Sequence, residues 1–301
     1  MSQILVVGSL AYDTISSPEG RAEKCLGGSA NYFSLAAHRH AGVRIVGVVG
    51  EDYADKDLAM LKDRNVDTTG LQIQKGKTFH WEGKYEGDMN EAITVATDLN
   101  VFEHFQPEIP DSYKDTPFVF LANIDPTLQL KVMEQVNNPK IVASDTMNLW
   151  INIKKDELLK VVSKVDLLVI NDGEATQLTG TKNAIAASEQ LMTMGPKAVV
   201  IKRGEFGFIM RSADGFFALP AYPVAKVVDP TGAGDSFAGA MFGQLAKKNA
   251  PLDFQNLKEA CLHGAVFASF TVQDFGMQHL ANLPEDAFEQ RLREFKGMVT
   301  L

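Results

Sequence analysis

Residues 229–239 read Asp229-Pro230-Thr231-Gly232-Ala233-Gly234-Asp235-Ser236-Phe237-Ala238-Gly239, and a helix-like run continues through Leu245. Three small residues, Gly232, Ala233 and Gly234, stand before a single carboxylate, Asp235, at the predicted helix start. The first backbone N–H groups of a helix have no partner inside it and carry partial positive charge. Small residues there let an anion come close to the amides, as a phosphate site requires. A carboxylate beside such a cradle repels phosphate, so its presence needs a reason of its own. It suits a base that takes the proton of an attacking hydroxyl while the amides hold the phosphoryl group in transfer. An ordinary turn and helix cap would account for a bare Gly-x-Gly-Asp, but not for the eleven-residue run.

Four other clusters bear on that chemistry. Asp13 follows a first strand-like run, Ile4-Leu5-Val6-Val7, where ligands collect in open parallel sheets. Its carboxylate can accept hydrogen bonds from two neighbouring hydroxyls of a sugar, and Asn31 can both donate and accept. Gly27-Gly28 precedes a helical pattern carrying Asn31, and a glycine pair lets backbone approach a ligand. Asn171-Asp172-Gly173-Glu174 follows a buried run and reads two ways. It can be a capping box, or Glu174 can face a hydrated Mg²⁺ near a phosphate. Both can hold together. Lys202-Arg203-Gly204-Glu205-Phe206-Gly207 follows another strand-like run, and Lys202 can reach a phosphate.

The motifs at 27–31, 171–174 and 229–239, in this order, resemble those of the ribokinase/PfkB superfamily of sugar and nucleoside kinases. Matching stretches extend from residue 8 to residue 278. The resemblance implies a ribokinase-like three-layer α/β/α sandwich forming a single domain over 1–301. It also implies a small β lid near 10–26 and 71–97, which the family often uses for dimer contacts, hence a homodimer through the lid. Asp235 would be catalytic, with Gly232, Ala233 and Gly234 as its cradle. Asp13, Gly27, Gly28 and Asn31 would hold the acceptor. Asn171, Lys202, Gly204, Gly207 and His263 would bind the nucleotide, His263 by position alone, alongside Phe275-Gly276-Met277-Gln278. Glu174 would act on the metal through water. The implied cofactors are ATP and Mg²⁺, with room for a monovalent cation such as K⁺.

The pattern between the motifs agrees with that class. Short apolar runs at 45–49, 118–121, 141–143, 167–170 and 198–201 alternate with amphipathic stretches at 53–65, 127–136, 154–162 and 184–194. Continuous β-branched runs of this length suit strands buried on both faces, so the alternation predicts an α/β fold with a mainly parallel sheet. After Asp235 the pattern is helical, near 235–248, 253–272 and 285–296. Residues 10–26 and 71–97 break the rhythm and read as strand pairs outside the main sheet.

Composition excludes several partners. A net charge of −9 disfavours nucleic acid and anionic membranes. An anionic nucleotide therefore needs a local positive site. Cys25 and Cys261 have no metal or redox spacing and read as reduced thiols of a cytoplasmic protein. No apolar run reaches membrane-span length, and the N-terminus reads as a strand rather than a leader. Gly76-Lys77-Thr78 has its earlier glycine, Gly70, misplaced for a phosphate loop. His38 and His40 cannot share a helix face and read as solvated.

The acceptor stays open between a ribose-type sugar and a nucleoside. Asp229-Pro230-Thr231, Asn171-Asp172 and Asn123-Ile124-Asp125-Pro126 lean toward nucleosides, while the short 10–26 segment does not. A sugar-phosphate kinase would need a cation near the acceptor, for which Arg21, Lys24 and Lys84 are candidates. A non-catalytic sugar- or nucleoside-binding protein on the same fold would have no need of Asp235 and its cradle.

Overall fold

The computed structural model of the chain describes residues 2–87 and 89–300. In chain order the strands are β1 (Gln3–Val7), β2 (Ala11–Ser17), β3 (Gly20–Gly27), β4 (Gly42–Gly50), β5 (Val66–Gln74), β6 (Phe79–Tyr85), β7 (Ala92–Asp98), β8 (Phe118–Leu121), β9 (Ile141–Ser144), β10 (Leu167–Asn171), β11 (Ala198–Lys202), β12 (Phe208–Ser212) and β13 (Gly215–Leu219). They divide into a large sheet, ordered β13-β12-β11-β10-β9-β8-β1-β4-β5, and a small one, ordered β3-β2-β6-β7. From β11 across to β5 every neighbouring pair is parallel; β12 and β13 join antiparallel at one edge.

The apolar runs form the inner strands because both of their faces are covered. Ile4 and Val6 of β1 belong to one core, and Leu5 and Val7 to another on the opposite face. The first core holds the helices Ser29–Ala37, Ala233–Lys247 and Phe254–Thr271 against the sheet. The opposite face is covered by Pro126–Met133, Lys155–Val162, Asp172–Thr179 and Ala184–Thr193. The result is the α/β/α sandwich of a ribokinase-like fold. No helix among the described residues is long and apolar enough to cross a membrane.

Strand order reverses at β1. From there the chain fills one side with β4 and β5, then returns to add β8 to β11 on the other. Such a switch point opens a crevice at the carboxyl ends of the strands. The small sheet stands over that crevice, because β2 leaves β1 through only three residues, Gly8-Ser9-Leu10. The segment expected at 71–97 divides between the two sheets. Residues 71–74 finish β5 at the edge of the large sheet, and only β6 and β7 join β2 and β3. The reason is hydrogen bonding: Leu71 to Gln74 pair with Gly47 to Gly50 of β4.

The histidines expected in solvent are not there. His38 Nδ1 contacts the Leu35 carbonyl oxygen at 2.7 Å, and His40 is 5% exposed. Past the helix Ser29–Ala37 the chain turns under the helix Ala233–Lys247, where Gly243 leaves room for His40. The His40 ring lies 5.0 Å from that of His263 and 5.8 Å from Phe288. Neither nitrogen of His40, nor Nδ1 of His263, has a hydrogen-bond partner among the described residues. Burial holds both rings neutral, His40 down to about 3 and His263 to about 4. Lys247 lowers both further, Lys296 acts against the charge of His263, and Glu259 offsets part of the effect there.

Because these folded-state values lie below the ordinary 6.5, the unfolded chain takes up protons first as pH falls. The contribution of these two rings to stability is thus complete above about pH 6.5 and declines from there toward pH 4. His40→Phe keeps the aromatic packing and removes two unpartnered nitrogens. The loss of Tm between pH 6.5 and 4 should be smaller in this variant than in wild type, as measured by thermal melts across that range.

Candidate active site

The run at 229–239 becomes a left-handed turn feeding a helix. Gly232 has φ +73° and caps the helix Ala233–Lys247. A side chain there would run into the Tyr32 ring as well as strain the backbone. Asp229 shapes the approach by accepting from Thr231 N (2.8 Å) and Gly276 N (3.2 Å). The amides of Gly232, Gly234 and Asp235 meet no protein acceptor among the described residues, as an anion cradle requires. Ala233 departs from expectation. Its N–H donates to the Pro230 carbonyl at 3.1 Å, closing the turn, so it is not one of the available donors.

Around this helix start the strand ends deliver charge. Lys202, the last residue of β11, lies beside Asn171, the last of β10. Its Nζ donates to Asp145 Oδ2 at 2.9 Å and lies 2.8 Å from where a Cβ of Gly234 would stand. Lys202 therefore sits over the cradle. Burial opposes its charge, but Asp145, Glu174 and Asp235 outweigh that and raise its pKa. The same crowding acts on the acids. Burial, then Asp145, hold Glu174 well above the usual carboxylate range, with Lys202 pulling the other way. Asp235 is pushed up to about 7 by burial and by Asp145, against Lys202. A carboxyl that titrates near neutrality suits a general base.

Asn171 and Glu174 form the full capping box: Asn171 Oδ1 accepts from Glu174 N at 2.7 Å, and Glu174 Oε2 accepts from Asn171 N at 2.9 Å. Glu174 Oε1 takes no part in the capping box, and Asp145, Lys202 and Asp235 act on the same carboxyl. Asp145, Glu174 and Asp235 all act on Lys202, three acids around one lysine among the described residues, a donor set that a divalent ion could join. No group of three close ligands exists among the described residues. Glu174 thus fits Mg²⁺ held through water, since that ion usually keeps several waters.

On the other side lies the acceptor cluster. Asp13 is not in a loop: it is on β2, paired with Cys25 of β3 and Trp81 of β6. It is 4% exposed, and burial, then Asp229 and Asp235, raise its pKa to about 8. A side chain at Gly27 would overlap the Asp13 carboxylate, and one at Gly28 (φ +93°) would strike the backbone of Ser9 to Ala11. The glycine pair thus packs against the acceptor carboxylate. Asn31 is fully buried; its Nδ2 donates to the Gly27 carbonyl at 2.7 Å and its Oδ1 meets the Tyr53 hydroxyl at 3.5 Å.

The remaining expected residues separate. Gly204 (φ +52°) and Gly207 (φ +79°) build the turn after β11, closed by Arg203 N to the Gly207 carbonyl at 2.8 Å. His263 does not join them, because its ring faces His40 and Phe288. Gly264 instead packs against the Phe237 carbonyl. Residues 275–278 lie against the small sheet and Asp229, with Phe275 near Gly20 and Gly276 near Cys25. Asp145 was missed from sequence. An acid two residues past the buried run 141–143, at the end of β9, was the available signal, because strand ends line the crevice.

Comparisons with known proteins now bear on this geometry. Residues 1–285 match the pfkB family of carbohydrate kinases. The chain belongs to that family. It is similar to the cytidine kinase of Thermococcus kodakarensis, 32% identical over 245 residues, covering 79% of this chain and 87% of that protein. The crystal structure of Methanocaldococcus jannaschii nucleoside kinase superposes with a TM-score of 0.76 at 23% identity, covering 98% of this chain and 99% of that one. Salmonella enterica aminoimidazole riboside kinase, solved with aminoimidazole riboside and an ATP analog, gives 0.77 at 21% identity over 97% and 100% of the two chains. The last two likenesses carry the fold.

Lys202→Met would leave Asp145, Glu174 and Asp235 without their cation. Removing one member of a buried pair costs about 3–5 kcal/mol, so urea unfolding should show a loss of that order. A loss under about 1 kcal/mol would mean that water screens the cluster.

Proposed function

We propose that the protein is an ATP-dependent, Mg²⁺-requiring kinase that phosphorylates the primary hydroxyl of a nucleoside. The observation that carries this reading is the juxtaposition of Asp235, held near neutrality, with free amides on one side and the sealed Asp13 on the other. Asp13 accepts hydrogen bonds from two sugar hydroxyls, and Gly27 and Gly28 let the ring approach. Asn31 fixes Gly27 from below. Asp235 takes the proton as the primary hydroxyl attacks the γ-phosphate. The amides of Gly232 and Gly234, with Lys202, stabilise the charge that spreads over the equatorial oxygens. Asn171, Gly204 and Gly207 border the nucleotide, and Mg²⁺, which Glu174 would hold through water, would neutralise charge on the phosphate oxygens.

A nucleoside is favoured over a free sugar because the relative that is 32% identical to this chain is a cytidine kinase. None of the three cations that a sugar phosphate could have used near the lid is committed to Asp13. Arg21 pairs with Glu23 and Glu82, Lys84 with Glu86, and Lys24 is exposed. A non-catalytic binding protein would have no use for a carboxylate kept titratable beside an anion cradle.

Asp235→Asn keeps size and helix position but removes the base, and should lower kcat by about 10²–10⁴ with acceptor Kd nearly unchanged. A screen of ADP formation against nucleosides, sugars and sugar phosphates tests the substrate class; turnover of sugars alone would overturn the nucleoside reading.

Asp13→Ala removes the acceptor of two hydrogen bonds. The kcat/KM for the acceptor should fall about tenfold or more, with KM for ATP little changed. A deoxy analogue lacking one of those hydroxyls should be poor for wild type and lose less in the variant. Equal loss for ATP and acceptor would place Asp13 elsewhere in the mechanism.

A further inference from the structure

The small sheet is fastened to the phosphate turn at two points. Ser17, at the end of β2, donates to the Val228 carbonyl at 2.7 Å, and Thr231 Oγ1 donates to the Tyr85 hydroxyl, at the end of β6, at 3.1 Å. These bonds bracket Asp229 and Pro230, the residues that lead into the Gly232 turn. On its other side that turn rests on the Tyr32 ring. Tyr85 is 8% exposed, whereas Ile93 and Val95 of the neighbouring β7 are 45% and 56% exposed. The sheet is thus tied down at the β6 end and exposed along its β7 edge. Beyond Tyr85 the connection to β7 reaches the nucleotide side: a Cβ on Gly204 would collide with the Asn90 side chain, and one on Gly173 would stand 3.5 Å from the Glu91 carboxylate.

We propose that Tyr85 is a positioning residue that latches the small sheet to Thr231, so that one closure brings Asp13 to the acceptor and fixes the phosphate cradle. The linkage is mechanical. β2, which carries Asp13, is hydrogen-bonded along β6 from Ala11–Phe79 to Ser16–Lys84, so the two strands move as one. When the sheet closes on an acceptor, the Tyr85 hydroxyl arrives at Thr231. The turn is then held between Tyr32 and Tyr85, with its amides aimed at the transferred group. When the latch is open, the cradle loses one wall and water gains access to it. This role rests on the kinase reading for its consequence, but not for its geometry.

The test uses the full-length protein with Tyr85→Phe, Thr231→Val, the double variant, and Thr231→Ser, which restores the hydroxyl. The first readout needs no ligand: amide hydrogen exchange across residues 79–87 and 89–98. Losing one hydrogen bond should speed exchange there about three- to tenfold in either single variant. The double variant should be no faster, and Thr231→Ser should match wild type. The second readout uses whichever acceptor the screen identifies. Tyr85→Phe should lower kcat about three- to tenfold with acceptor KM within about twofold, and ADP formed per acceptor phosphorylated should rise above one as water competes. Unchanged exchange in both single variants, or additive effects in the double, would overturn the latch. A protein that phosphorylates no nucleoside or sugar would overturn the kinase reading instead, and the exchange measurement would still decide the latch.

Discussion

The site depends on one lysine. Among the described residues Lys202 is the one cation placed between three acids, Asp145, Glu174 and Asp235, and its ammonium rests against the cradle glycine Gly234. Desolvation would expel an unpaired charge from this place, so the cation stays only because the acids surround it. The acids in turn remain close together because the cation partly screens them. Burial first, and then Asp145 acting against Lys202, raise the pKa of Asp235 to about 7 rather than an ordinary carboxylate value. A strand end supplies the lysine, a second strand end Asp145, a capping box Glu174 and a helix start Asp235. No one of them would have this chemistry alone.

That convergence is a property of the parallel sheet. Its strands run in one direction, so their carboxyl ends collect on one edge, and the reversal of order at β1 opens a crevice there. The chain enters the crevice first with Asp13, then with Asp145, Asn171, Lys202 and finally Asp235. The acceptor side is built differently. Asp13 rides on the small sheet, and burial beneath that sheet raises its pKa. Two carboxyls with raised pKa values, Asp13 and Asp235, stand on either side of the proposed reaction centre. One is fixed to the body and the other to the element above it, so the distance between them is set by how the small sheet sits.

Glycines make this approach sterically feasible. Gly27 leaves room for the Asp13 carboxylate, Gly28 for the backbone after β1, and Gly232 for Tyr32. Each gap is filled by another part of the molecule, so these positions serve packing within the site as much as access for a ligand. The same economy explains Asn31. It lies beside the acceptor cluster, yet its amide is spent on Gly27 and Tyr53.

Much of this was legible in the sequence. Buried apolar runs specify parallel strands because no solvent face interrupts them, and the glycine-rich run before Asp235 specifies a helix start with open amides because no side chain covers them. The capping box at Asn171 and Glu174 is local chemistry and was readable as such. Contacts between distant segments were not. His40 and His263 read as a solvated residue and a nucleotide ligand, but three helices meet there and bury both. Ala233 read as a cradle donor until the turn closed on Pro230. Asp145, Tyr85 and Thr231 gain their roles only through neighbours 57 and 146 residues away in the chain. The sequence by itself determined the elements and the kinds of chemistry at their ends, because those follow from periodicity and local hydrogen bonding. Only the tertiary structure decided which charges share a desolvated space, because electrostatics depends on distance and burial rather than on order along the chain.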